Sequence, residues 1–252
     1  MVHMARVRRK VREGELLYGV NSIVEALKAK RRKLISIYVA ENAVKPFDRV
    51  RNHLPKHVKN VQRVPRNIID RMTGSKEHMG VAAWFSPFQF KKNMFDPAKH
   101  PQILFLEGIQ DVRNLGAILR SAHCTGITGV VLSQSNAAPL NAAAIKSSAG
   151  LCEHLDVHIA PTSASAIHNI RAAGYHLYMA MLGNHANAAE VDFCPPACLV
   201  IGNEAQGIDK NLSSSGTKIT LPQINPDVSY NASVAAGILM FLMTSKSRQN
   251  TK

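Results

Sequence analysis

Apolar residues recur along the chain in two rhythms, and the change between them divides it. Val20, Ile23, Val24 and Leu27 fall three and four apart, the spacing of one helix face. A short helix is therefore expected over 20–30, with Asn21 or Ser22 available as its cap. Residues 34–40 (LISIYVA) are dense in β-branched and aromatic side chains. Residues 61–64 and 80–85 (GVAAWF) continue the pattern of short strands with helical stretches between them. A small α/β sandwich is predicted for 15–88. The stretch Ser86 to Pro101 has three prolines and little period, so the linker between domains is placed there and bounded at 89–101.

From Gln102 onward the rhythm changes. Apolar runs at 103–106, 129–132, 155–159, 176–180, 198–201 and 218–221 alternate with helix-like segments. Such alternation predicts an α/β domain over 102–252, a mostly parallel sheet with helices on both faces. Residues 231–243 are rich in Ala, Ile, Leu and Met and too long for a strand. They are expected to form a buried helix that closes the core, an interface, or both.

Charge sharpens the division. Residues 1–100 hold 22 Lys and Arg against 8 Asp and Glu, a net +14, whereas residues 101–252 hold 9 against 9. A polyanionic partner gripped by the first part is implied, because each phosphate contact releases counterions and adds affinity without sequence preference. Arg31, Arg32, Lys33 and the basic tail 1–14 are the candidate phosphate contacts. No run approaches the roughly 18 apolar residues of a membrane span, and the basic start lacks an apolar core, so a cytosolic protein is expected. Cys124, Cys152, Cys194 and Cys198 are too few and too irregular for a disulfide framework. The pair Cys194 and Cys198 is half of a zinc site at most, and no second pair completes it, so no metal is expected.

Three segments that follow predicted strands carry candidate chemistry, at the place where open α/β sheets put their ligands. The first runs from Glu107 to Arg120. In it Asn114 is either a helix cap or a site residue, Gly116 permits close backbone approach, and Arg120 supplies a fixed forked cation. The second, Leu199 to Gly207, ends a strand in Gly202-Asn203-Glu204, with Glu204 read either as a functional carboxylate or as a favourable charge at a helix start. It has neither a dinucleotide nor a P-loop spacing. The third, Leu221 to Ser233, is a polar loop that feeds the last helix, with Ser229 or Asn231 as possible caps.

Taken in order, these segments resemble the three motifs of the SpoU family of RNA ribose methyltransferases, whose catalytic domain is the trefoil-knotted α/β fold of the SPOUT class. The first motif's Asn-x-Gly-(Ala/Ser)-x-x-Arg core is matched by Asn114, Gly116, Ala117 and Arg120. The Gly-x-Glu motif is matched by Gly202 and Glu204, and the Ser-Leu-Asn-x-Ser motif by Ser229, Asn231 and Ser233. The start resembles the family's ribosomal-protein-like RNA-recognition domain, through 17–27 (LYGVNSIVEAL) and 78–82 (HMGVA). The chain departs from the pattern at Val112, where the family has Pro, and at Tyr230, where it has Leu.

The resemblance implies an S-adenosylmethionine-dependent RNA 2′-O-methyltransferase acting on a guanosine of 23S ribosomal RNA, with transfer RNA as the alternative substrate. It implies catalysis by Arg120 assisted by Asn114, Glu204, Ser229 and Asn231, and a cofactor held around Gly202, Leu221, Tyr230 and Asn231. It also implies a homodimer formed through the knotted domain and its last helix. A guanidinium stays protonated, so Arg120 is expected to hold a phosphate and stabilise a developing alkoxide rather than act as a base. A reading of a different class, a non-catalytic RNA-binding or ribosome-assembly protein, accounts equally for the basic half but not for the joint presence of the five motif residues.

Overall fold

The computed structural model describes residues 14–56, 58, 61–225 and 229–249; the basic tail implicated as a phosphate contact lies outside them, save Gly14. The chain divides into two compact units. The first comprises residues up to Gln89 together with Asn141–His154, and the second comprises Phe90–Leu140 with the residues from Leu155 onward.

In the first unit, strands β1 (Glu15–Tyr18), β2 (Leu34–Ala40), β3 (Val61–Val64) and β4 (Val81–Phe85) form one sheet in the order β1-β4-β2-β3. The first two pairings are antiparallel and β2 with β3 is parallel. Helix α1 (Val20–Ala29) buries Val20, Ile23 and Val24, as the spacing predicts. Its cap differs from expectation. Gly19, at φ 82°, occupies the N-cap and its carbonyl accepts from Ile23 N–H, so Asn21 and Ser22 lie inside the helix rather than at its end. Helices α2 (Val44–Arg51) and α3 (Arg66–Thr73) complete the layers, with α2 packed on α1 and α3 on the strands.

A buried charge cluster organises this unit. The Arg32 side chain is 1% exposed. Its Nη1 donates to Glu153 Oε1 at 2.9 Å, its Nη2 to Glu15 Oε2 at 2.8 Å and its Nε to the Ser86 carbonyl at 2.7 Å. The guanidinium also lies within about 6 Å of the Phe85 and Phe88 ring centroids. Arg32 is thus no phosphate contact: its donors are spent inside, because a buried guanidinium must be matched by carboxylates and carbonyls. Burial raises the Glu153 carboxyl above its ordinary value, and Arg32 opposes that rise. This pairing draws in the segment 141–154, with helix α5 (Ala142–Ser147) and the short 3₁₀ turn Leu151–His154; His154 adds a 2.9 Å contact to Glu25 on α1.

A second lock sits before β4. The His78 ring is fully buried, and its Nδ1 accepts from Gly80 N–H at 2.8 Å. The proton must therefore be on Nε2, which donates to Asp70 Oδ1 at 2.6 Å. Gly80 has φ 78°, and a Cβ there would fall 2.5 Å from the Ala43 Cβ.

The second unit is a seven-stranded, wholly parallel sheet, β7-β6-β5-β10-β8-β11-β9, built from β5 (Gln102–Leu106), β6 (Gly129–Ser133), β7 (Asp156–Ala160), β8 (His176–Ala180), β9 (Ala186–Asn187), β10 (Ala197–Ile201) and β11 (Thr217–Thr220). The central strands read as unbroken apolar runs because both of their faces are covered. Ile103, Phe105, Val131, Met179, Cys198 and Val200 pack with Ala166, Ile167 and Ile170 of helix α6 (Ser163–Ala172). Residues alternate along a strand, so Leu104, Val130, Leu199 and Ile201 point the other way, to the side of helices α4 (Val112–Thr125) and α7 (Ala232–Gln249). Among the described residues no helix is long and apolar enough to cross a membrane.

The stretch expected to be a linker is part of this unit from Phe90 on. Lys91 N–H donates to the Val157 carbonyl at 2.7 Å, its ammonium meets Asp156 at 3.1 Å, and the Lys91 carbonyl contacts His158 Nδ1 at 2.9 Å. Phe95 is 5% exposed within the core, and Tyr175 donates to the His100 carbonyl at 2.7 Å. From Phe90 on the stretch therefore runs as a strap along the β7 and β6 side.

Replacing Arg32 by Ala leaves two carboxylates without their cation, one of them buried. Chemical denaturation of Arg32→Ala is expected to show a loss of about 3–5 kcal/mol, whereas Lys33→Ala, at an exposed neighbour, should stay within about 0.5 kcal/mol of wild type.

Candidate active site

Strands β5 and β10 lie side by side, and the loops leaving their C-terminal ends meet. After β5 the chain runs through Glu107 and Gly108 to Asp111, the N-cap of α4, whose carboxylate accepts from the backbone N–H of Arg113 at 2.6 Å and Asn114 at 3.2 Å. Asn114 is therefore not the cap, and its side-chain amide is free for other work.

After β10 the chain folds back sharply on itself. Asn203 and Gly207 exchange backbone hydrogen bonds at 3.1 and 2.8 Å, and Asn203 Oδ1 accepts from the backbone of Ala205 and Gln206. Asn203 Nδ2 donates to the Gly108 carbonyl at 2.7 Å, which ties the two loops together. A Cβ on Gly202 would lie 2.3 Å from the Gly207 carbonyl carbon and the Ile208 nitrogen, so no other residue fits there without moving the backbone. Glu204 stands in this turn and starts no helix. Its carboxylate instead faces the first turn of α4, 3.5 Å from the Gln110 nitrogen.

The third segment ends at Asn231, the residue before α7. Its Oδ1 accepts from Ser233 N–H at 2.9 Å and from Ser233 Oγ at 2.6 Å, so it caps the helix as foreseen for Asn231 or Ser229. It does more. Asn231 Nδ2 donates to Asn114 Oδ1 at 3.2 Å, and Asn114 Nδ2 donates to Glu204 Oε1 at 3.0 Å. One polar relay joins all three segments, and its direction is set by its end, since a carboxylate oxygen accepts.

Beside the relay lies a cavity of about 540 Å³. Gly202, Glu204, Leu221, Ser229, Tyr230 and Asn231 all line it, and Ile201, Ile219 and Leu239 contribute apolar wall. Arg120 is neither in the relay nor in the lining. It is exposed on α4, about 9 Å further along the helix axis than Asn114 at 1.5 Å per residue.

Glu107 and Lys210 carry no functional reading in the sequence alone. Glu107 is 7% exposed, and its Oε2 accepts from Asp209 N–H at 3.2 Å. Burial raises its carboxyl above the ordinary 4.5, against the lowering effect of hydrogen bonds from Asp209 and Ser163. Lys210 also lines the cavity. A charged residue directly after an apolar strand was the available signal for Glu107; nothing in the sequence pointed to Lys210.

The model of the SpoU rRNA methylase family matches residues 101–241, and the model of the RNA 2′-O ribose methyltransferase substrate-binding domain matches residues 16–91. The chain belongs to the SpoU family. It is 31% identical over 239 residues to YacO of Bacillus subtilis, named for the TrmH family of tRNA/rRNA methyltransferases, covering 90% of this chain and 94% of that one. Among solved structures, one described as an RNA 2′-O ribose methyltransferase superposes with a TM-score of 0.82 at 21% identity, over 95% of this chain and 91% of that one. An AdoMet-bound rRNA methyltransferase from Sinorhizobium meliloti does so with 0.76 at 20% identity, over 94% and 89%. These two likenesses show the fold. The SpoU family model spans the relay and every lining residue of the cavity, so the protein is an RNA methyltransferase of this family and the convergence of its three loops is the candidate active site.

Glu107 has a raised folded value, so the unfolded chain releases its proton first. Its contribution therefore falls as pH rises from about 4.5 through that folded value, and is a net cost at neutral pH. Glu107→Gln is expected to raise the denaturation midpoint at pH 7, with the gain over wild type shrinking as the pH is lowered below 4.5; an equal gain at both pH values would contradict this.

Proposed function

We propose that the protein transfers a methyl group from S-adenosylmethionine to a ribose 2′-hydroxyl of RNA, a guanosine of 23S ribosomal RNA in the cytoplasm, and does so as a homodimer of the trefoil-knotted catalytic unit. The observation that carries this reading is the Asn231–Asn114–Glu204 relay beside a cavity whose turn admits only glycine at 202. The lining suits the cofactor. The volume falls in the range of about 300–1,000 Å³ usual for small-ligand sites. Ile201, Ile219, Leu221 and Leu239 offer an apolar wall for an adenine, while Asn231 and Ser229 give polar groups at the side of the relay. The Sinorhizobium meliloti neighbour is described as AdoMet-bound.

When bound, the cofactor supplies an electrophilic methyl group on a sulfonium. The residues of this chain do the rest. The relay holds the three loops in one geometry, so the hydroxyl and the donor are presented in line without reorganisation. Arg120, exposed on α4 and without a hydrogen-bond partner among the described residues, has its donors available for the RNA phosphate next to the reacting ribose and for the alkoxide that develops there, while a phosphate oxygen or water takes the hydroxyl proton and S-adenosylhomocysteine leaves. Val234, Ile238 and Phe241, spaced along one side of α7, are 49%, 38% and 63% exposed; this apolar stripe is what a second copy would cover.

Labelled methyl transfer to total ribosomal and transfer RNA tests the reaction. Arg120→Ala is expected to lower turnover at saturating RNA about 10²- to 10³-fold, Arg120→Lys to lower it with RNA affinity retained, and the wild-type product should map to a guanosine 2′-O position in 23S RNA. Product confined to transfer RNA would replace the substrate; no product, with no binding of S-adenosylmethionine, would leave a non-catalytic RNA-binding protein. Phe241→Asp should shift the sedimentation coefficient from dimer to monomer, and an unchanged value would remove α7 from the interface.

A further inference from the structure

The cavity has an electrostatic asymmetry that the family motifs do not account for. Among its described lining residues there is one carboxylate, Glu204, and one cation, Lys210. Glu204 is already engaged by Asn114 and faces the Gln110 N–H. Lys210 is exposed and forms no ion pair among the described residues.

The backbone that carries this ammonium is nevertheless fixed. Asp209, its neighbour, donates its N–H to the buried carboxylate of Glu107. The Asp209 side chain accepts from Asn211 N–H at 2.8 Å, and its carbonyl from Ser213 N–H at 3.0 Å. Ser213 Oγ then donates to the Lys210 carbonyl itself at 2.8 Å. A lysine in irregular chain is thereby anchored to the end of β5, at the cavity, with no ion pair to its ammonium among the described residues.

A ligand that brings a carboxylate to a largely apolar cavity needs a cation to receive it, because an unpaired carboxylate loses its hydration without return. S-adenosylmethionine carries such a group on its methionyl end, and the adenosine end does not. We propose that Lys210 receives the α-carboxylate of the cofactor, and so makes the site prefer the complete amino-acid-bearing molecule over adenosine fragments. This rests on the reading that places the cofactor in this cavity.

The test is isothermal titration of the full chain with S-adenosylhomocysteine and with 5′-methylthioadenosine, which keeps the adenosine and the thioether but lacks the amino acid. Wild type should bind both. Lys210→Gln should weaken S-adenosylhomocysteine about 5- to 20-fold and leave 5′-methylthioadenosine within about 2-fold, with Lys210→Arg recovering most of the difference. The difference should also shrink at about 1 M salt, where charges are screened within a few ångströms. An unchanged affinity for S-adenosylhomocysteine overturns the proposal, as does an equal loss for both ligands, which marks a structural role. Weaker RNA binding with S-adenosylhomocysteine unaffected overturns it too, and makes Lys210 an RNA contact. Ala205→Trp, at an exposed rim position, should obstruct both ligands. Wild-type binding of both by that variant, or no binding by wild type, overturns the cavity reading and the Lys210 proposal together.

Discussion

The close return of the chain at Gly202 is the constraint on which the site depends. With a Cβ there 2.3 Å from the backbone of Gly207 and Ile208, the turn after β10 exists only because the residue has no side chain. The turn in turn aims the Glu204 carboxylate at the start of α4, and Asn203 bolts it to Gly108. The orientation of the relay is then set by that carboxylate. It accepts from Asn114, so Asn114 must present its oxygen to Asn231, and Asn231 must use its own oxygen to cap α7. Three loops from distant parts of the chain become one surface because each amide has one orientation that satisfies both neighbours.

The sheet makes this convergence cheap in conformational terms. Parallel strands place all their C-terminal ends on one edge, so β5 and β10, adjacent and in register, deliver Glu107 and Gly202 to the same place. Helix α7 packs against α4, which brings the cap of one helix to the third residue of the other. Glu107 beneath the turn works against stability and for position: its burial raises the carboxyl, yet its oxygen fixes Asp209 and with it the chain on to Ser213. Structures with strained or costly charges near a site commonly hold geometry in this way.

Charge is divided between the units by purpose. The excess positive charge of the first hundred residues is consistent with RNA contact, but Arg32 shows that a basic run is not uniform in role. Its neighbours Arg31 and Lys33 are exposed, while its own guanidinium is the internal partner of Glu15 and Glu153. Residues 101–252 carry no net charge, so there it is the position of single charges such as Glu204, rather than their sum, that shapes the candidate site.

Local chemistry determined a good deal by itself. The helix face of 20–27, the strand runs such as 103–106 and 198–201, and the glycine, asparagine and glutamate of the three segments were legible because each depends on residues a few positions apart or on one strand's own apolar content. The pairing order β7-β6-β5-β10-β8-β11-β9 was not, since periodicity states that a strand is buried and not beside which other strand. Arg32 was misread for the same reason: the partners that bury it lie 17 and 121 residues away. Proline content in 86–101 marked irregular backbone correctly, but the pairing of Lys91 with β7 belongs to contacts across more than 60 residues, and the burial of Phe95 beside Gly129 to one across more than 30. Asp111 rather than Asn114 as the cap, and Lys210 at the cavity, were likewise decided only when tertiary contacts fixed where the loops lie, because a side chain's role follows from its neighbours in space and the sequence lists its neighbours along the chain.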